Sequence, residues 1–405
     1  MTLTLLLDLD DTLLDNDINL FLPHYLKALG QQLAGYVAPE KMARELLSAT
    51  GAMIRNQYPD QTLEKAFDSQ FYPRISVQKN DILEILRDFY ENQFPGLKSL
   101  THPRPAAVEM VQDAFRRGFT IAVATNPLFP IRAIQHRLDW AGLPVEKNPF
   151  ALVTSYEKFH FAKPNPAFYA ECLAVLGWPD QPAVMVGNSL PDDLVPAGIL
   201  NIPGFWISSS EDPLPKNLPA HSRKGSLEQI GPWLQEIQSA GVQPAAETTE
   251  AILAVMKSTS AALEFFSRDF SAEQWHIRPQ PGEWCFTEVI CHLRDSDREI
   301  HLPRMERILA EQNVFVSAVN ADEWSETRRY CEEDGPRALQ GFTDSRIELI
   351  RKLENLTPLE WGSPARHAIF GPTTLKELMS FIVQHDRTHI QQALQTARST
   401  EANRS

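Results

Sequence analysis

Several apolar runs in the first half of the chain end in residues that can do chemistry. Two carboxylates follow the first run, a hydroxyl and an amide follow the second, two further carboxylates follow the third, and a lysine lies between the last two runs. These residues are Asp8, Asp10, Thr125, Asn126, Asp192, Asp193 and Lys163. Phosphoryl transfer needs such groups: a carboxylate to attack phosphorus, a second carboxylate to move the proton of the leaving oxygen, and Mg2+ with an ammonium group to neutralise the phosphoryl oxygens.

Three histidines in the last third of the chain form a second candidate site. His385 and His389 are four residues apart, so a helix would place both on one face. His292 also stands beside apolar residues. Imidazoles on a buried face need partners, which a divalent metal or hydrogen bonds in the core could provide. Three histidines from two facing helices would leave an open coordination position, as catalytic metal sites do.

The apolar runs of the first 240 residues alternate with helical stretches, which is the pattern of a doubly wound α/β domain with a parallel sheet. The predicted strands are 3–7, 119–124, 183–186 and 202–207, and the clearest helices between them are 106–117 and 166–176. Parallel strands end at the same edge of a sheet, so we expect the polar residues that follow them to converge. Taken alone, Asp8 and Asp10 would be interpreted as an acidic turn without a catalytic role. The polar residues at the other strand ends argue against this interpretation.

Two other regions have a helical pattern without strands. Residues 15–100 predict a helical insertion in the α/β domain, with helices near 21–34, 40–52 and 79–94. Residues 247–405 predict a separate all-α four-helix bundle, with helices near 247–268, 284–311, 335–355 and 374–397. The predicted domains are therefore 1–240 and 247–405, joined by a linker at 241–246. Thr374 and Glu377 have the spacing of a capping box, and Pro303 should kink or end the second helix of the bundle.

Residues 1–240 resemble the haloacid dehalogenase-like hydrolases, whose four motifs occur in order at the strand ends described above. The resemblance implies that Asp8 forms an aspartyl-phosphate and that Asp10 acts as general acid and then general base. It implies that Thr125, Asn126 and Lys163 bind the phosphoryl group. The second acid, Asp10, favours a phosphatase over a dehalogenase. The helical insertion looks like the helical cap of this family, which restricts the site to small phosphorylated metabolites.

The resemblance also implies a Mg2+ site that uses the Asp8 carboxylate, the main-chain carbonyl of Asp10 and an acid of the last motif. Asn188 follows Gly187 where many relatives have Asp, so the metal depends on Asp192 or Asp193. We favour Asp192 as the ligand and Asp193 as an acid that orients Lys163 or a metal-bound water. Within the cap, we favour surface roles for His24, Tyr25 and Arg55.

Residues 247–397 resemble the DinB-like, or YfiT-like, metal-binding four-helix bundles. The resemblance is carried by Trp284, the segment 292–295, the segment 371–375 and the segment 385–391. It implies that His292, His385 and His389 hold a second divalent metal, such as zinc or nickel, and some relatives use a low-molecular-weight thiol. Asp386 has two open interpretations, a partner of a histidine or a solvated surface residue. Cys291 is expected in the core, and His301 is left out because it lies half a turn from His292.

The composition excludes several classes of protein. The 405 residues carry 38 basic and 52 acidic side chains, so the formal net charge is -14 and a nucleic-acid or membrane partner is not expected. The four cysteines form no CxxC pair, which argues against a disulfide framework or a thiolate zinc site. The first residues do not have the sequence pattern of a secretory signal peptide, so we expect a cytoplasmic protein. A homodimer stays open.

The leading hypothesis is a Mg2+-dependent phosphatase fused to a metal-binding bundle of undetermined role. A sensing or scaffold protein, in which a weakly active hydrolase fold binds a phosphorylated ligand, is the alternative, and Asn188 favours it. In a third hypothesis only the bundle is catalytic.

Overall fold

The computed structural model describes residues 2–402, with side chains described for residues 2–400. Contacts divide the described residues into two compact units. The first takes its residues from 1–57, 61–172 and 179–245, and the second from 58–60, 173–178 and 246–405. Among the described residues, no helix is both long and apolar enough to cross a membrane.

A parallel sheet lies at the centre of the first unit. The strands of residues 2–245 are β1 Thr4–Leu7, β2 Leu14–Asp15, β3 His102–Pro103, β4 Thr120–Val123, β5 Leu152–Val153, β6 Ala183–Gly187, β7 Gly204–Ile207 and β8 Arg223–Gly225. In the described chain, six of them form one sheet in the order β5-β4-β1-β6-β7-β8, and every neighbouring pair is parallel. β2 and β3 pair separately as an antiparallel ribbon. The predicted doubly wound α/β fold is confirmed.

The strands are apolar because both faces of the sheet are covered. All four residues of β1 and all five of β6 are buried, as expected of parallel strands between two helical layers. The helices of residues 2–245 are α1 Ile18–Gln32, α2 Pro39–Ile54, α3 Leu63–Ile75, α4 Lys79–Asp88, α5 Pro105–Arg116, α6 Ile131–Trp140, α7 Pro166–Val175, α8 Val195–Ile199 and α9 Ile230–Ala240.

Helices α1 to α4 form the helical insertion that the sequence predicts between residues 15 and 100, which we call the cap. Asp17 caps the start of α1 by accepting a hydrogen bond from the main-chain nitrogen of Asn19, and Pro39 begins α2. The sequence analysis missed α3, which packs against α2. Its apolar residues follow no clear helical stripe, and Pro73 stands in its last turn.

The second unit contains a helical bundle. Its helices are α10 Thr249–Ser267, α11 Phe286–Ser296, α12 Leu302–Ala310, α13 Trp324–Thr327, α14 Gly335–Glu354, α15 Pro358–Trp361 and α16 Leu375–Ala402. The long helices pack as neighbours: α11 contacts α14 and α16, and α10 contacts α14 and α16. The capping box is confirmed, since Glu377 accepts from the nitrogen of Thr374 at 2.8 Å and the Thr374 hydroxyl accepts in return at 3.3 Å.

The prediction of a region without strands is wrong. β9 Val314–Val316, β10 Pro364–His367 and β11 Gly371–Thr374 form a three-stranded sheet within the described residues. Each strand has three or four residues, which is too short to show an alternating pattern in the sequence.

The predicted second bundle helix is interrupted. The α-helical pattern of α11 ends at Ser296, a π-helical turn spans Asp297–His301, and α12 follows with Pro303 in its first turn. Pro303 therefore marks the break, but it begins the next helix rather than ending the previous one.

Candidate active site and histidine cluster

Asp8 lies where the direction of winding of the sheet reverses. β1 is bonded to β4 on one side and to β6 on the other, with Leu7 opposite both Val123 and Val186. The chain reaches the two edges of the sheet from this central strand, so a crevice forms at its carboxyl end. The pairing continues into Asp8, whose nitrogen donates to the carbonyl of Val186 at 3.0 Å. The first predicted site residue is therefore held in place by its own backbone.

Lys163 connects two of the predicted acids. Its Nζ donates to Asp8 Oδ1 at 2.7 Å and to Asp193 Oδ1 at 2.6 Å, and all three side chains are buried. Burial raises the pKa of Asp8 to about 7, while Lys163 acts in the opposite direction. The pKa of Lys163 is raised: burial works against its charge, but the two carboxylates outweigh this effect. The ammonium group is thus a fixed positive charge beside Asp8.

The two acids of the last motif have different surroundings. Asp193 contacts Lys163 and also accepts from the nitrogen of Ser189 at 3.0 Å through Oδ2. The Asp192 carboxylate instead accepts from the Ser189 hydroxyl at 2.8 Å and is partly exposed. The predicted contact of Asp193 with Lys163 is present. The main-chain carbonyl of Asn188 accepts from the indole of Trp206 at 2.8 Å.

Gly187 leaves the space that Asp193 occupies. A Cβ atom at residue 187 would lie 2.2 Å from Asp193 Oδ2, so we expect Gly187→Ala to push Asp193 away from Lys163. The expected loss in the free energy of unfolding is about 1–3 kcal/mol, measured by urea denaturation. Gly231→Ala is the control, because a Cβ there meets nothing within 4 Å. Equal stability of the two variants would contradict this account.

Asp10 is held by two residues that the sequence analysis missed. Arg137 Nη1 donates to Asp10 Oδ2 at 2.6 Å, and Asn16 Nδ2 donates to Asp10 Oδ1 at 2.8 Å. Arg137 is almost completely buried, and its Nε and Nη2 have no hydrogen-bond partner among the described residues. Arg137 lies in α6, and an arginine followed by a leucine in an amphipathic helix does not indicate a functional site. Only the order of the strands in the sheet could indicate that a side chain of α6 reaches Asp10, which follows β1.

Thr125 and Asn126 follow β4 at the same edge. Thr125 is buried, and its carbonyl accepts from the Thr154 hydroxyl at 2.7 Å. Asn126 Oδ1 accepts from the main-chain nitrogen of Lys163 at 3.2 Å. Asn126 therefore fixes the backbone that carries the lysine. Contacts join Asn126 to Lys163 and Lys163 to Asp8 and Asp193.

The three predicted histidines converge in the second unit. His385 Nε2 lies 2.9 Å from His292 Nε2 and 3.1 Å from His389 Nε2. One Nε2 atom cannot form good hydrogen bonds to two other ring nitrogens that face it, because a neutral ring nitrogen carries one hydrogen or one lone pair. The lone pairs of three neutral imidazoles at this spacing fit one divalent metal, and imidazole ligands suit zinc, nickel or copper.

The surroundings keep these imidazoles neutral. Burial, with a smaller effect of His389, lowers the pKa of His292 to about 3. Burial and the two neighbouring imidazoles lower the pKa of His385 to about 2. The pKa of His389 is also lowered, mainly by burial. Neutral imidazole is the form that binds metals.

Aromatic and polar neighbours fix the cluster. The ring of Trp284 stacks on His389 with centroids 5.7 Å apart and an angle of 2°. Gln392 Oε1 lies 3.0 Å from His389 Nδ1, which sets the orientation of that ring. The Nδ1 atoms of His292 and His385 have no hydrogen-bond partner among the described residues.

His301 lies near the cluster, although it is not one of the three converging histidines. Its ring centroid lies 6.2 Å from that of His385, and both residues line a cavity of about 270 Å³ with His292. The π-helical turn at Asp297–His301 has more residues per turn than an α-helix, so it rotates His301 toward the cluster. A count based on an ideal α-helix could not detect this rotation.

The interpretation of Asp386 as a solvated surface residue is wrong, whereas its carboxylate does act on His389, whose pKa it raises against the larger effect of burial. Asp386 is completely buried, and its carboxylate accepts from Arg346 and from the Thr259 hydroxyl, the latter at 2.8 Å. Arg346 also donates to Asp297 at 2.7 Å, and Asp297 Oδ1 lies 2.9 Å from His301 Nδ1. Asp386 therefore belongs to a buried ion network beside the cluster. Cys291 is buried, as predicted.

Comparison with known proteins finds relatives of both parts of the chain. A phosphoglycolate phosphatase from Mesorhizobium japonicum is 24% identical over 188 residues, which are 46% of this chain and 74% of the relative. A haloacid dehalogenase-type phosphatase from Thermococcus onnurineus is 20% identical, covers 60% of this chain and 100% of its own, and superposes with a TM-score of 0.37. YfiT from Bacillus subtilis, which has an unusual four-helix bundle topology, is 20% identical, covers 38% of this chain and 88% of its own, with a TM-score of 0.35.

Family models match both parts of the chain. Residues 2–197 match the model of the haloacid dehalogenase-like hydrolases. Residues 247–393 match the model of the DinB superfamily. The chain therefore joins a haloacid dehalogenase-like hydrolase, in residues 2–197, to a member of the DinB superfamily, in residues 247–393.

Proposed function

We propose that the first unit is a phosphatase that hydrolyses small phosphate monoesters. The observation that carries this proposal is the ammonium group of Lys163 between the carboxylates of Asp8 and Asp193. A carboxylate beside a fixed cation can approach an anionic phosphate, whereas an isolated carboxylate repels it. The hydrolase family and the similarity to a phosphoglycolate phosphatase support the same reaction.

Asp8 is the proposed nucleophile. One of its oxygens forms a bond to phosphorus while the bond between phosphorus and the leaving oxygen breaks, which gives an aspartyl-phosphate. Protonated Asp10 donates its proton to the leaving oxygen and then takes a proton from the water that attacks the aspartyl-phosphate. The products are an alcohol, inorganic phosphate and the regenerated Asp8 carboxylate.

The other polar residues of this edge bind and orient. Lys163 binds a phosphoryl oxygen while Asp193 holds its ammonium group, and Thr125 and Asn126 bind the remaining oxygens. Arg137 keeps the Asp10 carboxylate directed toward the leaving oxygen. Mg2+ is the proposed cofactor, and it would neutralise phosphoryl charge when it is held by Asp8, the Asp10 carbonyl and an oxygen of the segment 188–193.

The proposal is tested by phosphate release from a panel of small phosphate monoesters, with Mg2+ and with a chelator. We expect Mg2+-dependent release by the full chain. Binding of the esters without any release under either condition would contradict a phosphatase and support a phosphate-sensing protein.

We propose that the second unit binds a divalent metal through His292, His385 and His389. When bound, the metal would act as a Lewis acid beside the cavity of about 270 Å³ that His292 and His385 line. We also propose that a low-molecular-weight thiol binds at this site as a further partner of the second unit. The residues themselves provide neutral imidazoles and exclude water on the side of Trp284.

Removal of one imidazole should abolish tight metal binding. We expect His385→Ala to lose about one equivalent of metal per chain after purification and dialysis, because three ligands are reduced to two. Elemental analysis measures this content. His276→Ala is the control, since His276 is exposed and lies outside the cluster. Equal metal contents in wild type and His385→Ala would refute the three-histidine site.

A further inference from the structure

We propose that the phosphatase acts on esters of apolar alcohols, whose alcohol part occupies a cavity beneath the cap. This inference rests on the proposed phosphatase function and adds its substrate class. The cavity has a volume of about 240 Å³ and lies within the first unit. Its walls come from α1, α2, α3 and α4 of the cap and from Leu33 and Tyr90, which follow α1 and α4, together with residues 128–130 and Tyr156 of the α/β part.

The cavity is connected to the proposed general acid on one side. Phe129 is a wall residue, and the guanidinium of Arg137 lies 4.7 Å from the centroid of its ring. The same guanidinium donates to Asp10 at 2.6 Å. Asp10, which would protonate the leaving oxygen, is therefore joined to the cavity wall through a single side chain.

A second connection runs through the start of the cap. Asn16 donates to Asp10, and Ile18 two residues later lines the cavity. In the proposed complex, the phosphate of the ester lies at Asp8 and its alcohol part occupies the cavity. Ile18 and Leu47 on the wall are 46% and 47% exposed, so apolar surface continues from the cavity to solvent.

The walls provide no charge for a polar alcohol. None of the described residues that line the cavity is acidic, basic or histidine. Its polar groups are neutral hydroxyls: the hydroxyls of Tyr25 and Tyr90 bond to each other at 2.9 Å, and burial raises the pKa of Tyr25 to about 12. A carboxylate such as that of phosphoglycolate would be placed there without a counter-charge, which is unfavourable.

The size of the cavity limits the alcohol. A dry apolar cavity of about 150 Å³ accepts a benzene molecule, so the cavity of about 240 Å³ has room for one ring or a branched chain. Each buried methylene group should increase kcat/KM about three- to fourfold until the cavity is filled.

The experiment compares isobutyl phosphate with phosphoglycolate in the presence of Mg2+. The two leaving groups have the same branched shape, but one ends in methyl groups and the other in a carboxylate. We expect kcat/KM to be at least about tenfold higher for isobutyl phosphate, and to rise from methyl through ethyl and propyl to butyl phosphate.

A substitution on the wall provides the second measurement. We expect Leu47→Lys to reduce the ratio of kcat/KM for isobutyl phosphate to that for phosphoglycolate by at least about tenfold, because it offers a cation to the carboxylate. Tyr36→Lys is the control, because Tyr36 is 49% exposed and does not line the cavity. The ratio is independent of the amount of folded enzyme.

The outcomes separate the two proposals. Hydrolysis of phosphoglycolate equal to or faster than that of isobutyl phosphate, with no effect of chain length, would overturn the apolar substrate class and leave the phosphatase standing. No hydrolysis of any ester would overturn both.

Discussion

Asp8→Asn is expected to lower kcat for phosphate release by about four orders of magnitude or more, because the amide cannot form the covalent intermediate. Loss of a nucleophile in a comparable covalent mechanism reduces kcat by about 10⁶. The measurement is phosphate release from the best ester of the panel with Mg2+ present. The substitution is nearly isosteric, and the amide oxygen can still accept a hydrogen bond from Lys163, which lies 2.7 Å from Asp8 Oδ1.

Asp15→Asn is the matched control for this change. It removes the same charge in the same segment, but Asp15 is exposed and should retain activity within about twofold. A kcat of Asp8→Asn within tenfold of that of the wild type would exclude the aspartyl-phosphate and leave a route in which water attacks phosphorus directly.

Arg346→Met is expected to destabilise the second unit by about 3–5 kcal/mol, because it leaves two buried carboxylates without their cation. Arg346 is completely buried and donates to Asp297 at 2.7 Å and to Asp386 at 3.1 Å. Methionine keeps the unbranched apolar part of the side chain, so the change mainly removes the charged guanidinium group. Denaturation followed by a tryptophan signal measures the loss. Arg337→Met, at an exposed position of the same helix, should change stability by less than about 0.5 kcal/mol.

The same network predicts a dependence on pH. Burial raises the pKa of Asp297, but Arg346 and His301 outweigh it, so the pKa lies below the ordinary value of 3.8. Near pH 4 the unfolded state therefore binds more protons than the folded state. The stabilisation that Asp297 contributes to the folded state is complete above about pH 4 and is lost as the pH falls through the pKa of Asp297 in the folded state. A wild-type stability that does not fall below pH 4 would contradict this assignment.

The sequence predicts the parts of both sites that depend on local pattern. Buried strands reveal themselves as apolar runs, so β1, β4, β6 and β7 and the polar residues at their ends could be located. The spacing of His385 and His389 predicts that both lie on one face of a helix, and in the structure His292 contacts His385 on that face. These predictions needed only the periodicity of strands and helices.

Other site residues depend on packing between distant segments or on departures from ideal helices. Tyr25, predicted at the surface, is 4% exposed, because it packs against Phe89 within the cap and against Phe129 of the α/β part. Arg137 reaches Asp10 from a helix that follows a different strand. His301 is rotated by a π-helical turn. None of these effects changes the local pattern of residue types, so a single sequence does not contain a direct signal of them.

The central position of β1 separates two properties of the enzyme that evolution or a designer could change independently. Asp8 is anchored by hydrogen bonds of its strand to both neighbours, whereas the proposed alcohol pocket takes most of its wall from the four cap helices. Exchange of amide hydrogens should therefore be slowest around the nucleophile and faster in the cap. A library of substitutions confined to α1–α4 would sample new alcohol preferences while the chemistry of phosphorus stays constant.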